Sequence, residues 1–349
     1  MNTEKYTLEY AVFELTNKCN LRCPFCASSS GKARKNEMPA EKWETIIKEM
    51  AELGGKEITL IGGEVFLYDE WVRIAHAVKN NGMNLVIITN GLLVDEKNYD
   101  ILKSLGLHVL GISIDGPDRE SYRATRGVDG FDRVLSLIRK VKEDGFTHVN
   151  AITTLTRVNY KRIDDFVKLF AGTDITWQVQ IANATGERFT TDLDFSVDMY
   201  EEVYYKLTEL LENRSDLSLA TMDDFGYYPL DFTLWDYHST WRGCMGAKKV
   251  IGIRSNGDLL PCLSLGDDYV VGNLENGSLI EAWNSDTVFK QFREKHLHLT
   301  GFCSKCPHSL ECNAGCAAMA FTSSGVITEN DYCIRKIQSE KLVQDLIEF

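Results

Sequence analysis

Tyr10-Ala11-Val12-Phe13-Glu14-Leu15 runs almost directly into Cys19-Asn20-Leu21-Arg22-Cys23-Pro24-Phe25-Cys26. The first run is β-rich and alternating, which predicts a strand over 9–15. The second places three cysteines in one short loop, and thiolates gathered in this way can hold an iron–sulfur cluster. On a cubane of four irons, three thiolates leave one iron without a protein ligand, free to bind a small molecule. A zinc loop, or three unrelated buried cysteines, are the competing readings of the same residues.

Downstream of that loop, strand and helix patterns alternate. Pro39 to Leu53 reads as a helix, with Pro39 near its first turn and Gly54-Gly55 closing it. Glu57 to Ile61 is a short apolar strand ending in Gly62-Gly63-Glu64. A helix over 69–81 follows, then a strand over 85–88 ending in Thr89-Asn90-Gly91. A helix over 95–105 leads to a strand over 107–114 ending in Asp115-Gly116-Pro117. The last two units are a helix within 130–145 with a strand over 148–154, and a helix over 159–170 with a strand over 175–182. Six such units predict a parallel sheet with helical crossovers. Six rather than eight points to an open or partial barrel, with a flat doubly wound sheet as the alternative. In either fold the reactive site lies at the carboxyl ends of the strands, where every motif quoted so far falls. Residues 196–213 read as a further helix. The aromatic, acidic segment 214–240, with Tyr227, Tyr228, Trp235, Tyr237 and Trp241, reads as a bridge packed by ordinary apolar contact.

The chain has 349 residues, 44% of them hydrophobic, enough for a full core and for two domains or a barrel with an appendage. A net charge of −13 argues against non-specific nucleic-acid binding, which needs clustered Lys and Arg. It is compatible with a basic peptide partner and equally with a solubility device. The absence of a secretory-type N-terminus and of an 18-residue apolar run predicts no membrane segment and a cytoplasmic protein. Ten cysteines in such a chain read as metal ligands or catalytic thiols rather than disulfides. Three fall before residue 27 and seven after residue 243, so two metal-binding regions are expected.

The spacing C-x3-C-x2-C, with Phe25 before the third cysteine, resembles the radical S-adenosylmethionine (radical SAM) enzymes. The resemblance implies that Cys19, Cys23 and Cys26 ligate a catalytic [4Fe–4S] cluster whose open iron chelates S-adenosylmethionine. It places Phe25 near the adenine. Gly62-Gly63-Glu64 resembles the family's GGE motif, which contacts the methionyl amino group. Ser113-Ile114-Asp115-Gly116 resembles its strand-four motif, so Ser113 would face the ribose or the carboxylate. Arg126 is a candidate to bind that carboxylate in a forked pair. Gln178 and Gln180 point to one face of the sixth strand, toward adenosine or substrate.

The C-terminal cysteines read Cys244, then Gly257 and Cys262, then Cys303-x2-Cys306-x5-Cys312-x3-Cys316, then Cys333. They resemble the SPASM extension of radical SAM enzymes, which holds two auxiliary [4Fe–4S] clusters. Carried onto these positions, Cys303, Cys306, Cys312 and Cys333 would ligate the outer cluster, and Cys244, Cys262 and Cys316 the inner one. The inner site's fourth ligand is either absent or a group such as His238. The implied fold is α/β: a partial (β/α)6 TIM-like barrel over 1–190, a helical bridge over 191–240 and a small cysteine-rich iron–sulfur domain over 241–349.

Two departures narrow the chemistry. Leu263 follows Cys262 where sulfatase-maturating members carry aspartate. All ten cysteines have cluster assignments, which leaves no spare hydrogen donor of the kind peptide epimerases use. The resemblance implies an oxidoreductase that cleaves S-adenosylmethionine to a 5′-deoxyadenosyl radical and abstracts hydrogen from a substrate C–H bond. The expected substrate is a ribosomally made precursor peptide, with a flavodoxin or ferredoxin-type protein as electron donor. Only about eight residues precede the first strand, so a peptide leader would bind the barrel or come with a separate protein. The alternatives are a small-molecule enzyme such as a tetrapyrrole side-chain decarboxylase, and a passive iron–sulfur electron carrier.

Overall fold

Each apolar run pairs in register with the next. In the computed structural model, which describes residues 6–222, 225, 227–230 and 243–347, β1 (Tyr10–Glu14) lies parallel to β2 (Glu57–Ile61), with Tyr10 opposite Glu57 and Glu14 opposite Ile61. Then follow β3 (Asn84–Thr89), β4 (Val109–Ser113), β5 (Val149–Leu155) and β6 (Thr176–Ile181), all parallel. The crossovers are α1 (Ala40–Glu52), α2 (Trp71–Asn80), α3 (Glu96–Ser104), α4 (Arg119–Arg126) with α5 (Phe131–Glu143), and α6 (Ile163–Phe170).

The helices bury apolar faces at helical spacing. Trp43, Ile46, Ile47 and Met50 of α1 are inaccessible, and the Trp43 ring meets Phe13 of β1 at 4.8 Å. Under α6, Trp177 of β6 stacks on Phe166 at 5.4 Å and donates its indole N–H to Thr153 Oγ1 at 2.9 Å. Along β6 the residues beneath the helices (Trp177, Val179, Ile181) alternate with half-buried ones (Thr176, Gln178, Gln180) that face the concave side of the sheet.

The sheet extends beyond the six expected strands at both ends. β7 (Leu219–Thr221) adds parallel to β6, and β8 (Val250–Ile253) adds parallel to β1, with β9 (Asp258–Leu260) and β10 (Gly272–Asn273) antiparallel outside it. Among the described residues the order is β10-β9-β8-β1-β2-β3-β4-β5-β6-β7, a ten-stranded sheet with β10 and β7 at its edges. Strands of two to four residues carry too little alternation to be read from sequence, and β8 reaches β1 across more than two hundred residues. The fold is therefore the partial barrel, with C-terminal strands built into its wall.

The helix over 196–213 is α7 (Val197–Asn213), with Ser196 accepting from the Met199 N–H as its cap. α4 had no counterpart in the hydrophobic pattern, because it is short and polar. Its signal was the capping pair Asp118 and Ser121, in which Asp118 accepts from the Ser121 N–H at 2.8 Å. No helix among the described residues is long and apolar enough to cross a membrane. Trp235, Tyr237, His238 and Trp241 lie outside the described residues.

Candidate active site and metal centres

The three-cysteine loop leaves β1 and lies against the end of β2. The Leu15 N–H extends the ladder to the Ile61 carbonyl, the Gly63 N–H donates to the Thr16 carbonyl at 2.7 Å, and the Glu64 N–H to the Lys18 carbonyl at 2.8 Å. A Cβ on Gly62 would stand 2.7 Å from the Thr16 oxygen, and one on Gly63 would fall on the Lys18 carbonyl. The close approach these glycines permit is thus to the cysteine loop's own backbone.

Glu64 is 1% exposed. Its carboxylate accepts from Thr89 Oγ1 at 2.7 Å and from the Asn90 N–H at 2.9 Å. Desolvation nevertheless lifts its pKa to about 7. The Asn90 amide reaches onward to Asn20 Oδ1 at 2.8 Å, inside the cysteine loop. Thr89-Asn90-Gly91, by itself a simple turn, joins the loop and Gly62-Gly63-Glu64 into one hydrogen-bonded unit.

Within the loop the Leu21 N–H points at Cys19 Sγ at 3.3 Å, and the Ser30 N–H at Cys26 Sγ at 3.5 Å. Burial pushes the Cys19 thiol up to about 11. Burial also raises Cys23, with the Arg126 charge pulling the other way. Such thiols are inert as nucleophiles and become thiolates when a metal supplies the opposing charge. Three sulfurs in one loop, two of them met by amide donors, fit an iron–sulfur cluster. Phe25 packs against Ala182 and Leu193 behind Cys23, forming an apolar wall.

Ser113 ends β4, half-buried. Asp115 beyond it is fully buried and accepts from Arg126 Nε at 2.6 Å and from the Thr154 N–H at 2.7 Å. Arg126, the last residue of α4, is 7% exposed, so the charge sits inside the site and not on the surface. Gln180 donates to Thr154 Oγ1 at 3.1 Å and Gln178 accepts from Asn150 at 3.0 Å, both on the concave face.

Several residues that hold the loop escaped sequence reasoning. Arg188 donates from Nη1 to the Ser29 carbonyl at 2.7 Å and from Nη2 to the Cys23 carbonyl at 3.2 Å. Gly186 lets this segment press on the loop, since a Cβ there would fall on the Cys26 carbonyl. Glu37 accepts from Thr16 Oγ1 at 2.8 Å and from the Asn17 N–H at 2.7 Å. Arg34 pairs with buried Glu14 at 2.6 Å. Ser255, just past β8, donates to both Glu14 and Glu37 at 3.1 Å, so a C-terminal residue braces the N-terminal loop. The only signal for Arg188 and Gly186 was the run Ala182 to Arg188 following a barrel strand.

In the C-terminal part, Cys303, Cys306, Cys312 and Cys333 line one cavity of about 350 Å³ including its mouth. Cys303 and Cys333 are buried, and burial raises both thiols. Four cysteines around one space have the donor set of a fully ligated cluster. Tyr227 and Tyr228 line the same cavity, and Tyr228 stacks on His308 at 4.5 Å. The two tyrosines thus wall a cysteine pocket, which is more than the interdomain packing expected of them. Tyr227 Oη accepts from the Cys316 N–H at 3.2 Å. Gly315, with φ +64, leaves room for the Tyr227 ring, which a Cβ would meet at 2.8 Å.

Cys244, Cys262 and Cys316 are half-buried and outside that cavity's lining. The backbone at Gly246 lies between Cys244 and Pro261, since a Cβ there would meet Cys244 Sγ at 3.4 Å and the Pro261 carbonyl at 3.2 Å. This brings Cys244 beside the residue preceding Cys262. Gly257 turns the β8–β9 connection at φ +87, with Glu275 and Asn273 packed where a side chain would go. Lys295, 1% exposed, donates to the Gly315 carbonyl at 3.3 Å, and its charge acts to lower the Cys303 thiol. Nothing in the local sequence marked it.

Comparisons with known proteins agree with this layout. Residues 13–170 match the Radical SAM superfamily, and residues 244–307 match SPASM, an iron–sulfur cluster-binding domain. An AdoMet-dependent heme synthase of Methanosarcina barkeri is 26% identical over 92% of this chain and 95% of its own. The mycofactocin maturase of Mycobacterium tuberculosis is 26% identical over 88% of this chain and 78% of its own. Streptococcus suis SuiB, in its crystal structure bound to the precursor peptide SuiA, shares the fold at TM-score 0.75 and 20% identity, over 93% of this chain and 75% of SuiB. The chain carries a radical SAM domain over residues 13–170 and a SPASM iron–sulfur cluster-binding domain over residues 244–307.

Proposed function

We propose that this radical SAM/SPASM enzyme oxidatively modifies a ribosomally synthesised peptide, starting from a 5′-deoxyadenosyl radical. The observation that carries the chemistry is the hydrogen-bonded unit of the cysteine loop, Gly62-Gly63-Glu64 and Thr89-Asn90-Gly91 at the carboxyl ends of β1 to β3. Cys19, Cys23 and Cys26 would hold the catalytic [4Fe–4S] cluster. When bound and reduced, that group supplies one electron to the sulfonium of S-adenosylmethionine, releasing methionine and the carbon radical that abstracts hydrogen from substrate.

The chain's own residues bind and orient. The Gly62-Gly63-Glu64 segment receives the methionyl amino group, with the Glu64 carboxylate fixing the neighbouring turn. Arg126, already held by Asp115 through Nε, directs its remaining guanidinium N–H groups to the methionyl carboxylate. Phe25 supports the adenine, and Ser113 faces the ribose. The half-buried strand faces, with Gln178 and Gln180, form the chamber that keeps water from the radical. Cys303, Cys306, Cys312 and Cys333 would hold one auxiliary cluster, and Cys244, Cys262 and Cys316 a second. Clusters held by these cysteines would supply one-electron acceptors, as a net two-electron oxidation of the substrate requires. The protein works in the cytoplasm, with a ferredoxin- or flavodoxin-type donor.

The peptide assignment draws support from the maturase relative and from the fold shared with a peptide-bound enzyme. A tetrapyrrole substrate is the second reading, favoured by the heme synthase match, which spans nearly all of both chains. Reconstituted enzyme given precursor peptides encoded beside it, and separately an iron porphyrin bearing propionates, separates them. A peptide two hydrogens lighter is the expected result, and carbon dioxide from the porphyrin would support the second reading.

A further inference from the structure

Beside the cysteine loop lies a broad open cleft of about 1100 Å³, lined by Arg22, Lys32, Arg34, Lys35 and Arg188, with Glu187 the one acid among its lining residues. Five cations converge here on a chain whose net charge is −13. The Arg34 charge is met by Glu14. Arg188 donates to neutral carbonyls, so its charge is unanswered. Arg22, Lys32 and Lys35 are exposed and form no ion pair among the described residues. The cleft borders the loop through Asn17, Arg22 and Ser29, and Arg188, which also lines it, donates to the Cys23 carbonyl. None of the concave-face residues Ser113, Thr154, Gln178 and Gln180 lines it.

We propose that this cleft is the docking site of a small acidic electron-carrier protein of the ferredoxin type, which reduces the cluster held by Cys19, Cys23 and Cys26. The proposal rests on that assignment of the three cysteines. Electron-transfer encounters are small and short-lived, and opposite charge sets their rate. A positive cleft on an otherwise acidic molecule orients an acidic carrier, because like charge repels it from the remaining surface. One electron leaves the carrier's reduced iron–sulfur group, which returns to its oxidised state, and enters the loop-held cluster. No bond forms or breaks, and no proton moves.

The test compares two reductants on the anaerobically reconstituted enzyme, following cluster bleaching by stopped flow. One is a reduced acidic ferredoxin, the other a neutral photoreduced deazaflavin. Lys32→Glu/Lys35→Glu should slow reduction by ferredoxin about ten-fold or more and flatten its dependence on ionic strength. Reduction by deazaflavin should be unchanged. An unchanged ferredoxin rate overturns the proposal. An equal fall with both reductants also overturns it, because the lysines would then serve the loop and not a partner. A wild-type protein with no reducible iron–sulfur absorption overturns the assignment of the loop itself.

Discussion

A methyl group at Gly63 would fall on the Lys18 carbonyl oxygen, and the backbone there is too tightly hydrogen-bonded to yield. Gly63→Ala should therefore push the cysteine loop off β2 at a cost of about 1–3 kcal/mol. Iron bound at the N-terminal site should fall while the C-terminal cysteines keep theirs, as read by iron analysis against a variant lacking Cys19, Cys23 and Cys26. The Asp115–Arg126 pair makes a second prediction. Both groups are almost fully buried, so Arg126→Met strands the Asp115 carboxylate and should cost about 3–5 kcal/mol. Asp115→Asn/Arg126→Met should recover much of that stability in urea unfolding, yet not the affinity for S-adenosylmethionine. The grouping of the cysteines was legible in the sequence because close spacing is local: Cys19, Cys23 and Cys26 share one loop, and Cys303, Cys306 and Cys312 line one cavity. Arg188, Glu37 and Ser255 were not, because each acts on the loop from more than ten residues away in sequence and belongs to no motif.

At the scale of elements, the six strand–helix units were legible because short apolar runs alternated with amphipathic ones. Most boundaries moved by one or two residues, as at Pro39 to Leu53, where the helix is Ala40–Glu52 and the two end residues serve as caps. The helix expected over 159–170 begins four residues later, at Ile163, behind a 3-10 turn over Tyr160–Arg162. Helix α4 was hidden in a polar stretch, and its cap shows why it forms. The Asp118 carboxylate is pulled down to about 2 by the Ser121 N–H, with Arg162 adding to it. A lowered pKa means that the stabilisation is fully present above the ordinary carboxylate range and is lost as pH falls through about 2. At neutral pH, Asp118→Ala should lower stability by about 1 kcal/mol. Because α4 carries Arg126, it should also weaken S-adenosylmethionine binding in a titration, whereas Asp118→Ser should restore most of both.

Across the whole molecule, the extension of the sheet by C-terminal strands is what the sequence concealed. The barrel looked separable from the cysteine-rich C-terminus, but β8 covers the edge of β1, and Ser255 reaches Glu14 and Glu37 behind the cysteine loop. A chain ended after residue 222 would leave β1 as a bare edge next to the three-cysteine loop. It should aggregate or elute as large oligomers in size-exclusion chromatography, and the full chain should not. The same coupling ties the N-terminal cysteine loop to the C-terminal cysteine-rich part mechanically, which no spacing rule could reveal.

The most direct measurement on the central claim is product analysis of chemically reduced, iron-loaded protein incubated anaerobically with S-adenosylmethionine. The expected result is 5′-deoxyadenosine and methionine from the wild type and none from Cys23→Ala. Fully iron-loaded wild type that forms no 5′-deoxyadenosine, or Cys23→Ala that forms as much as the wild type, would contradict it.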